Sequence, residues 1–278
     1  MRKLFLAILM VLFSTVLFAQ ADTCETIYIP DRPGYTYNAR LVGLHQMDIE
    51  LGFGYNYMKN VPYMNEGAKT NVFYNTTYIR YGAFKWLEFR YGVEFGSVNF
   101  SDSTGTYTNN GVRGVNIGFK IPLLSDHKYA PDIAIIATTY LPTVGIPQYQ
   151  LPNFAPSVNL AMQKCFFDKL VIFGNAGIFY NGFDPYAQYN ASLAAYFFIT
   201  PKFAIFAETM VMYANWTAPT NMGDAGCVLY ITDNIQWDLS FGVNYVSGLD
   251  NSFVNSGLSW RIPKHLFAKK DVNHCKMK

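Results

Sequence analysis

The stretch "LEFRYGVEFG", Leu87 to Gly96, alternates without a break. Leu87, Phe89, Tyr91, Val93 and Phe95 fall on one side of a two-residue period, and Glu88, Arg90, Gly92, Glu94 and Gly96 on the other. This is the mark of a strand with two unlike faces. A soluble sheet would bury the apolar face and wet the charged one, whereas a membrane barrel turns the apolar face to lipid and the charged one to its lumen. The polar faces of all the strands, taken together, decide between them: a water-exposed face carries many Lys and Glu, but these are built from Gly, Asn, Ser, Thr and a few charges. That suits a confined lumen.

The alternation recurs. In "MDIELGFGYNY", Met47, Ile49, Leu51, Phe53, Tyr55 and Tyr57 oppose Asp48, Glu50, Gly52, Gly54 and Asn56; "IQWDLSFGVNY", from Ile235, is equally clean. Weaker examples are "GVNIGFKI", "QYNASLAAYF", "FAIFAETMVM", "DAGCVLYI" and "FVNSGLSWRI". The runs "NVFYNTTYIRY", "PDIAIIATTY", "NLAMQKC" and "LVIFGNAGIFY" are strand-like without a decisive face. Together they predict about twelve strands of about ten residues, the length a tilted strand needs to cross a bilayer. The connections alternate too. Short turns at "GAFKW", "FFDK", "ITPK" and "TDN" are set against longer polar segments at "MKNVPYMNEGAK", "SVNFSDSTGTYTNN", "LPTVGIPQYQLPN" and "YANWTAPT", with "PLLSDHKYAP" a long member of the short side. Short periplasmic turns and longer outer loops are expected of an outer-membrane barrel. Trp86, Trp237 and Trp260 map to strand ends on the short-turn side, where an interfacial girdle belongs.

Composition agrees. Charged residues are 14% of the 278, against about 25% in soluble domains, and aromatics reach 17%. The net charge of +2 falls to about zero once Arg2 and Lys3 leave with a leader, so nothing offers nucleic acid a basic field. The opening "MRKLFLAILMVLFSTVLFAQADTC" has a basic start, an apolar run and the small-residue site Ala19-Gln20-Ala21, and reads as a cleaved secretory signal over residues 1–21. No later stretch is long and apolar enough for a spanning helix, so the crossing is made of strands. The expected organisation is a periplasmic or plug-like segment at 22–43, a single barrel at 44–262 and a periplasmic tail at 263–278, the even strand count placing both chain ends in the periplasm.

"DRPGYTYNARLVGLHQMDIELGFGY", "IRYGAFKWLEFRYGVEF", "GVNIGFK" and "IATTYLPTVG" stand in the order and spacing of the outer-membrane family named for the MetA pathway of phenol degradation, and the chain resembles a member. The resemblance covers Asp31 to about Gly145 in residues and the second half in strand pattern. Val144 is inserted where the family closes a strand with Leu-Pro-Thr-Gly, and the chain runs on past Pro263. The resemblance implies an outer-membrane channel that passes small, often hydrophobic or aromatic, compounds.

The residues expected to face the lumen include Asp48, Glu50, Arg80, Glu88, Arg90, Glu94, Lys120, Glu208, Asp224, Asp238 and Arg261, acids outnumbering bases by seven to four. If the turn "GAFKW" pairs its flanking strands directly, Arg80 lies opposite Glu88, with Lys120 near the same level. Such a cluster is either a constriction that filters solutes by charge or a network that fills the lumen and satisfies buried charges. Closure of the first strand on the last sets Arg261 within reach of Asp48 or Gln46. Asp31-Arg32-Pro33-Gly34 is a shaped segment, read either as a small plug that inserts Arg32 among the luminal acids or as a periplasmic turn. Cys24 and Cys275, one near each chain end in an oxidising compartment, are candidates for a disulfide.

An enzyme is disfavoured: His45, His127, His265 and His274 sit at a strand start, in a turn and in the tail, none beside a fitting Ser and acid. His265, His274 and Cys275 match no standard metal spacing. Asn-X-Ser/Thr matches such as those at Asn75, Asn190 and Asn215 are accidental in a bacterial-looking chain. The reading is therefore an all-β outer-membrane barrel, reached through a cleaved signal peptide and inserted by the barrel-assembly machinery. Its partners are membrane lipid and a small-molecule solute; it has no cofactor and no metal. The alternatives are a closed barrel with a structural or interaction role and, further off, a barrel enzyme acting on lipids.

Overall fold

The computed structural model describes residues 28–59, 68–214, 219–246 and 249–262. The leader, the tail with His265 and His274, and both cysteines of the expected chain-end disulfide lie outside them. The strands are β1 (Met47–Lys59), β2 (Lys69–Phe84), β3 (Leu87–Asp102), β4 (Gly105–Leu124), β5 (Asp132–Tyr140), β6 (Ala155–Phe166), β7 (Leu170–Phe179), β8 (Gln188–Thr200), β9 (Phe203–Ala214), β10 (Thr220–Thr232), β11 (Ile235–Val246) and β12 (Leu249–Ile262). Each pairs antiparallel with its chain neighbours, and β1 closes on β12, so the sheet is an up-and-down barrel without edges.

The period of two sorts the side chains. Phe53, Phe73, Phe89, Phe95, Leu193, Ile205 and Phe241 stand exposed on the outer wall, while Asp48, Glu50, Glu88, Lys120 and Asp238 are buried inside. An apolar belt of that extent around a closed sheet fits lipid rather than water. Trp86, stacked on Phe84 with ring centroids 5.4 Å apart, and Trp260 lie on the outer surface at the short-turn end. Trp237 donates its indole N–H to Ser256 at 3.1 Å.

Two local departures from the sequence reading have physical causes. "SVNFSDSTGTYTNN" is not a loop: Ser97–Asp102 and Gly105–Asn110 continue β3 and β4 as a long hairpin. Its Thr, Tyr, Val and Phe favour strand, and the Asp102 carboxylate accepts from the backbone N–H groups of Thr104 (2.7 Å) and Gly105 (3.2 Å), closing the turn. Arg80 is not opposite Glu88 either. The turn is only Lys85 and Trp86, with Phe84 paired to Leu87, so even after a one-residue bulge between Gly82 and Phe84 Arg80 pairs with Arg90 and Gly82 with Glu88.

Candidate functional site

Residues 28–43 run inside the barrel, and side chains of the wall satisfy their backbone. A buried chain segment without sheet partners must find other acceptors for its N–H groups, and here they come from strand after strand. Glu50 of β1 accepts from the N–H of Asp31 (3.2 Å) and Arg32 (3.1 Å), and Glu208 of β9 from that of Tyr35 at 2.8 Å. Asn175 of β7 both accepts from the Tyr37 N–H at 2.7 Å and donates to its carbonyl at 3.0 Å. Gln163 of β6 takes the N–H of Ala39 at 3.3 Å, and Glu88 of β3 that of Val42 at 2.8 Å. Arg40 pairs with Asp132 at the start of β5 at 2.7 Å.

Asp31-Arg32-Pro33-Gly34 carries two of the charges of this segment. Asp31 sits 2.5 Å from Arg90, 3.3 Å from Lys120 and 3.5 Å from Arg80. Burial alone would push its carboxyl upward, but the three cations hold it well below the usual carboxylate range. Arg32 forms a two-point pair with Asp238 of β11. Its guanidinium fills the space where Gly52 and Gly257, paired across the β1–β12 seam, would otherwise carry side chains.

The wall charges at the short-turn end of the barrel form one network around Arg80. Its guanidinium reaches Glu88 at 2.8 Å and Glu50 at 3.0 Å, and Arg90 meets Glu88 at 3.0 Å. The like-charged pair Arg80 and Arg90 is thus bridged by Glu88 and Asp31. Lys120, directly opposite Glu88, also donates to the carbonyls of Asn38 (3.0 Å) and Arg40 (3.3 Å). Asp48 and Arg261 are paired across the seam by two hydrogen bonds at 2.9 and 3.0 Å. Buried ions in such number are tolerated only when mutually paired, and the side chains of Arg80, Glu88, Glu50, Asp48 and Lys120 are all 2% exposed or less.

Above this layer, among the described residues, two adjoining cavities lie in the lumen. One, of about 380 Å³, lies against Arg32–Gly34 and is lined by Tyr74, Tyr78 and Asn255. The other, of about 530 Å³, reaches to the loops after β5 and β7. Tyr35, Tyr37, Glu94, Arg113 and Tyr140 line both. Tyr140 donates its hydroxyl to Glu94. Glu208 and Asp224 also face the lumen, opposite each other on β9 and β10.

Arg113 is the residue that the alternation conceals. Counting back from Ile117 and Val115, which face outward, it belongs on the lipid side. A β-bulge at this point, where Glu94 pairs with Gly114 and Phe95 with Val112, leaves Arg113 as the extra residue and aims it over Gly96 into the lumen. The loop after β5 docks beside the bulge: Leu141 N–H donates to Val115 O at 2.9 Å and Ile146 N–H to Val112 O at 3.1 Å. Gly145, at φ +111°, lies so close to Val112 O that a side chain has no room. Gln163 and Asn175 also escape a charge-based reading; their signal is the inward phase of amides on strands whose faces look alike, and Asp132 is missed because β5 shows no decisive face. His45 Nδ1 shares a hydrogen bond with the Tyr81 hydroxyl at 3.2 Å, and His127 accepts from its own turn.

One family matches the chain, that described as "Putative MetA-pathway of phenol degradation", over residues 30–262. No curated protein matches it. Among solved structures it is similar to an outer membrane channel from Pseudomonas putida F1, at 13% identity and a TM-score of 0.62, with 83% of this chain and 99% of that one covered. It is also similar to the translocator domain of the autotransporter NalP from Neisseria meningitidis, at 9% identity and a TM-score of 0.52, with 80% and 90% covered. At these identities the likeness is one of fold.

Proposed function

The chain belongs to this MetA-pathway family of outer-membrane β-barrels, and from that premise and the shape of its lumen we propose a passive channel for small molecules bearing aromatic or hydrophobic groups. The observation that carries the reading is the pair of cavities, about 380 and 530 Å³, joined at a shared rim of tyrosines with one acid and one base. Cavities of this size and lining suit small organic solutes. Residues 28–43 act as the plug. Their hydrogen bonds run to side chains rather than to a ladder, so the segment can leave without breaking the barrel sheet.

A closed barrel with a structural role is supported by one feature: the charged layer around Arg80 is buried and leaves the periplasmic half filled. Permeability separates the two readings. Liposomes carrying the purified protein should swell in small sugars and amino acids, and faster when Arg32 is changed to Ala. Impermeability to all of them in both forms establishes the closed barrel instead.

A further inference from the structure

The geometry points to the larger cavity as a binding site for a small hydroxylated aromatic carboxylate, the acid group on Arg113 and the hydroxyl on the amide oxygens of Asn159 and Asn190. This deepens the channel reading and rests on it.

The charge balance of the lumen singles out Arg113. Arg32, Arg80, Arg90, Lys120 and Arg261 each hold a carboxylate. Among the described residues Arg113 holds none, and its Nε is shut off from solvent with no hydrogen-bond partner. One face of the guanidinium is covered by the Tyr149 ring, 5.5 Å away at its centroid. A guanidinium fixed by ring stacking, with its fork unspent, is arranged for a planar oxyanion. An unpaired buried donor also costs free energy until something fills it. The bulge that turns Arg113 inward, and the loop that Gly145 holds against it, are built features at this one point of the wall.

The remaining lining gives the rest of the ligand. Tyr35, Tyr37, Tyr140, Phe179 and Tyr180 supply aromatic surface. Asn190 Oδ1 is buried without a partner, and it and Asn159 Oδ1 converge over Gly177. Two neighbouring acceptors call for a donor between them, which a ring hydroxyl provides. Glu94 lines the same cavity and opposes a second negative charge, so the site suits a monoanion. The volume, about 530 Å³, holds one single-ring molecule with room to exchange.

Calorimetric titration of the detergent-solubilised full chain tests this with four probes: 4-hydroxybenzoate, benzoate, phenol and tyramine. 4-Hydroxybenzoate should bind most tightly, phenol and tyramine about tenfold or more weakly, since each lacks the charge-assisted contact. Arg113→Gln should remove that advantage while leaving phenol unchanged, and Asn190→Ala should weaken 4-hydroxybenzoate but not benzoate. Heat-modifiable migration checks that each variant is folded; if Arg113→Gln is not, the ligand series on the unmodified chain decides alone. Equal binding of phenol and 4-hydroxybenzoate, no binding of either, or an Arg113→Gln variant that binds the acid as before overturns the site. Liposome swelling run in parallel keeps the two readings apart. A barrel that passes solutes but does not bind 4-hydroxybenzoate refutes the site alone, and one that binds it but passes nothing refutes the channel alone.

Discussion

Arg32 and Asp238 are 206 positions apart in the chain, yet they share two hydrogen bonds, Nε to Oδ2 at 3.2 Å and Nη2 to Oδ1 at 2.9 Å. The Asp238 side chain is wholly buried. Breaking a buried pair from one side leaves the other charge uncompensated, at a cost of about 3–5 kcal/mol. Here that cost falls on docking of the N-terminal segment, because the strands around Asp238 keep their own ladder. Asp238→Asn should therefore raise ion conductance in planar bilayers with little change in barrel unfolding. Gly257→Ala should do the same by a different route, since its methyl group takes the place of the Arg32 guanidinium. Unchanged conductance in both would show that the segment is not what limits flow.

The seam pair is expected to behave in the opposite way. Asp48 and Arg261 join β1 to β12 directly, so their loss weakens closure itself. In a double-mutant cycle of Asp48→Asn and Arg261→Gln, urea unfolding should show a coupling of about 0.5–3 kcal/mol. Conductance of the folded fraction should stay as it was. Additive effects would mean that closing register is fixed by the backbone ladder alone.

Much of this architecture can be read in the chain, for a physical reason. Where a strand has lipid on one side and a crowded lumen on the other, the alternation must be strict, and β1, β3 and β11 show it residue by residue. Asp48, Glu88 and Lys120 could be assigned a face from phase alone. What resists such reading is whatever breaks phase or register. Arg113 is displaced by a one-residue bulge, and the Arg80–Arg90 pairing is set by a turn that falls on Lys85 and Trp86 alone. Both are local events that leave composition unchanged. The acceptors for residues 37 and 39 are hidden for another reason: Asn175 and Gln163 carry no charge, and only the buried path of the N-terminal segment reveals what they bind.

Depth in the membrane predicts a graded response on the outer wall. Phe241 lies in the middle of β11 and is well exposed, whereas Phe84 lies at the turn beside Trp86. A lysine costs about 2–4 kcal/mol at the bilayer midplane and about 0–1 near the interface. Phe241→Lys should thus lower the unfolding free energy in lipid vesicles by the larger amount and Phe84→Lys by the smaller. Equal costs would place the belt wrongly along the barrel axis.

The cysteines give a test of facing that needs no new side chain. Cys165, at the inward phase of β6, takes part in a disulfide, while Cys227 of β10 is a free thiol. Cys227 alternates with the buried Val228 and pairs with Leu239 and Ile205, all outward by phase, so it belongs to the lipid face. In denaturant without reductant, a maleimide should label Cys227 and leave Cys165 untouched until reductant is added. In vesicles, a fluorophore at Cys227 should be quenched by lipids that carry a spin label on the acyl chain and spared by water-soluble iodide. Iodide quenching without lipid quenching would put Cys227 in the lumen, which would reverse the phase of β10 and, with it, the inward position of Asp224.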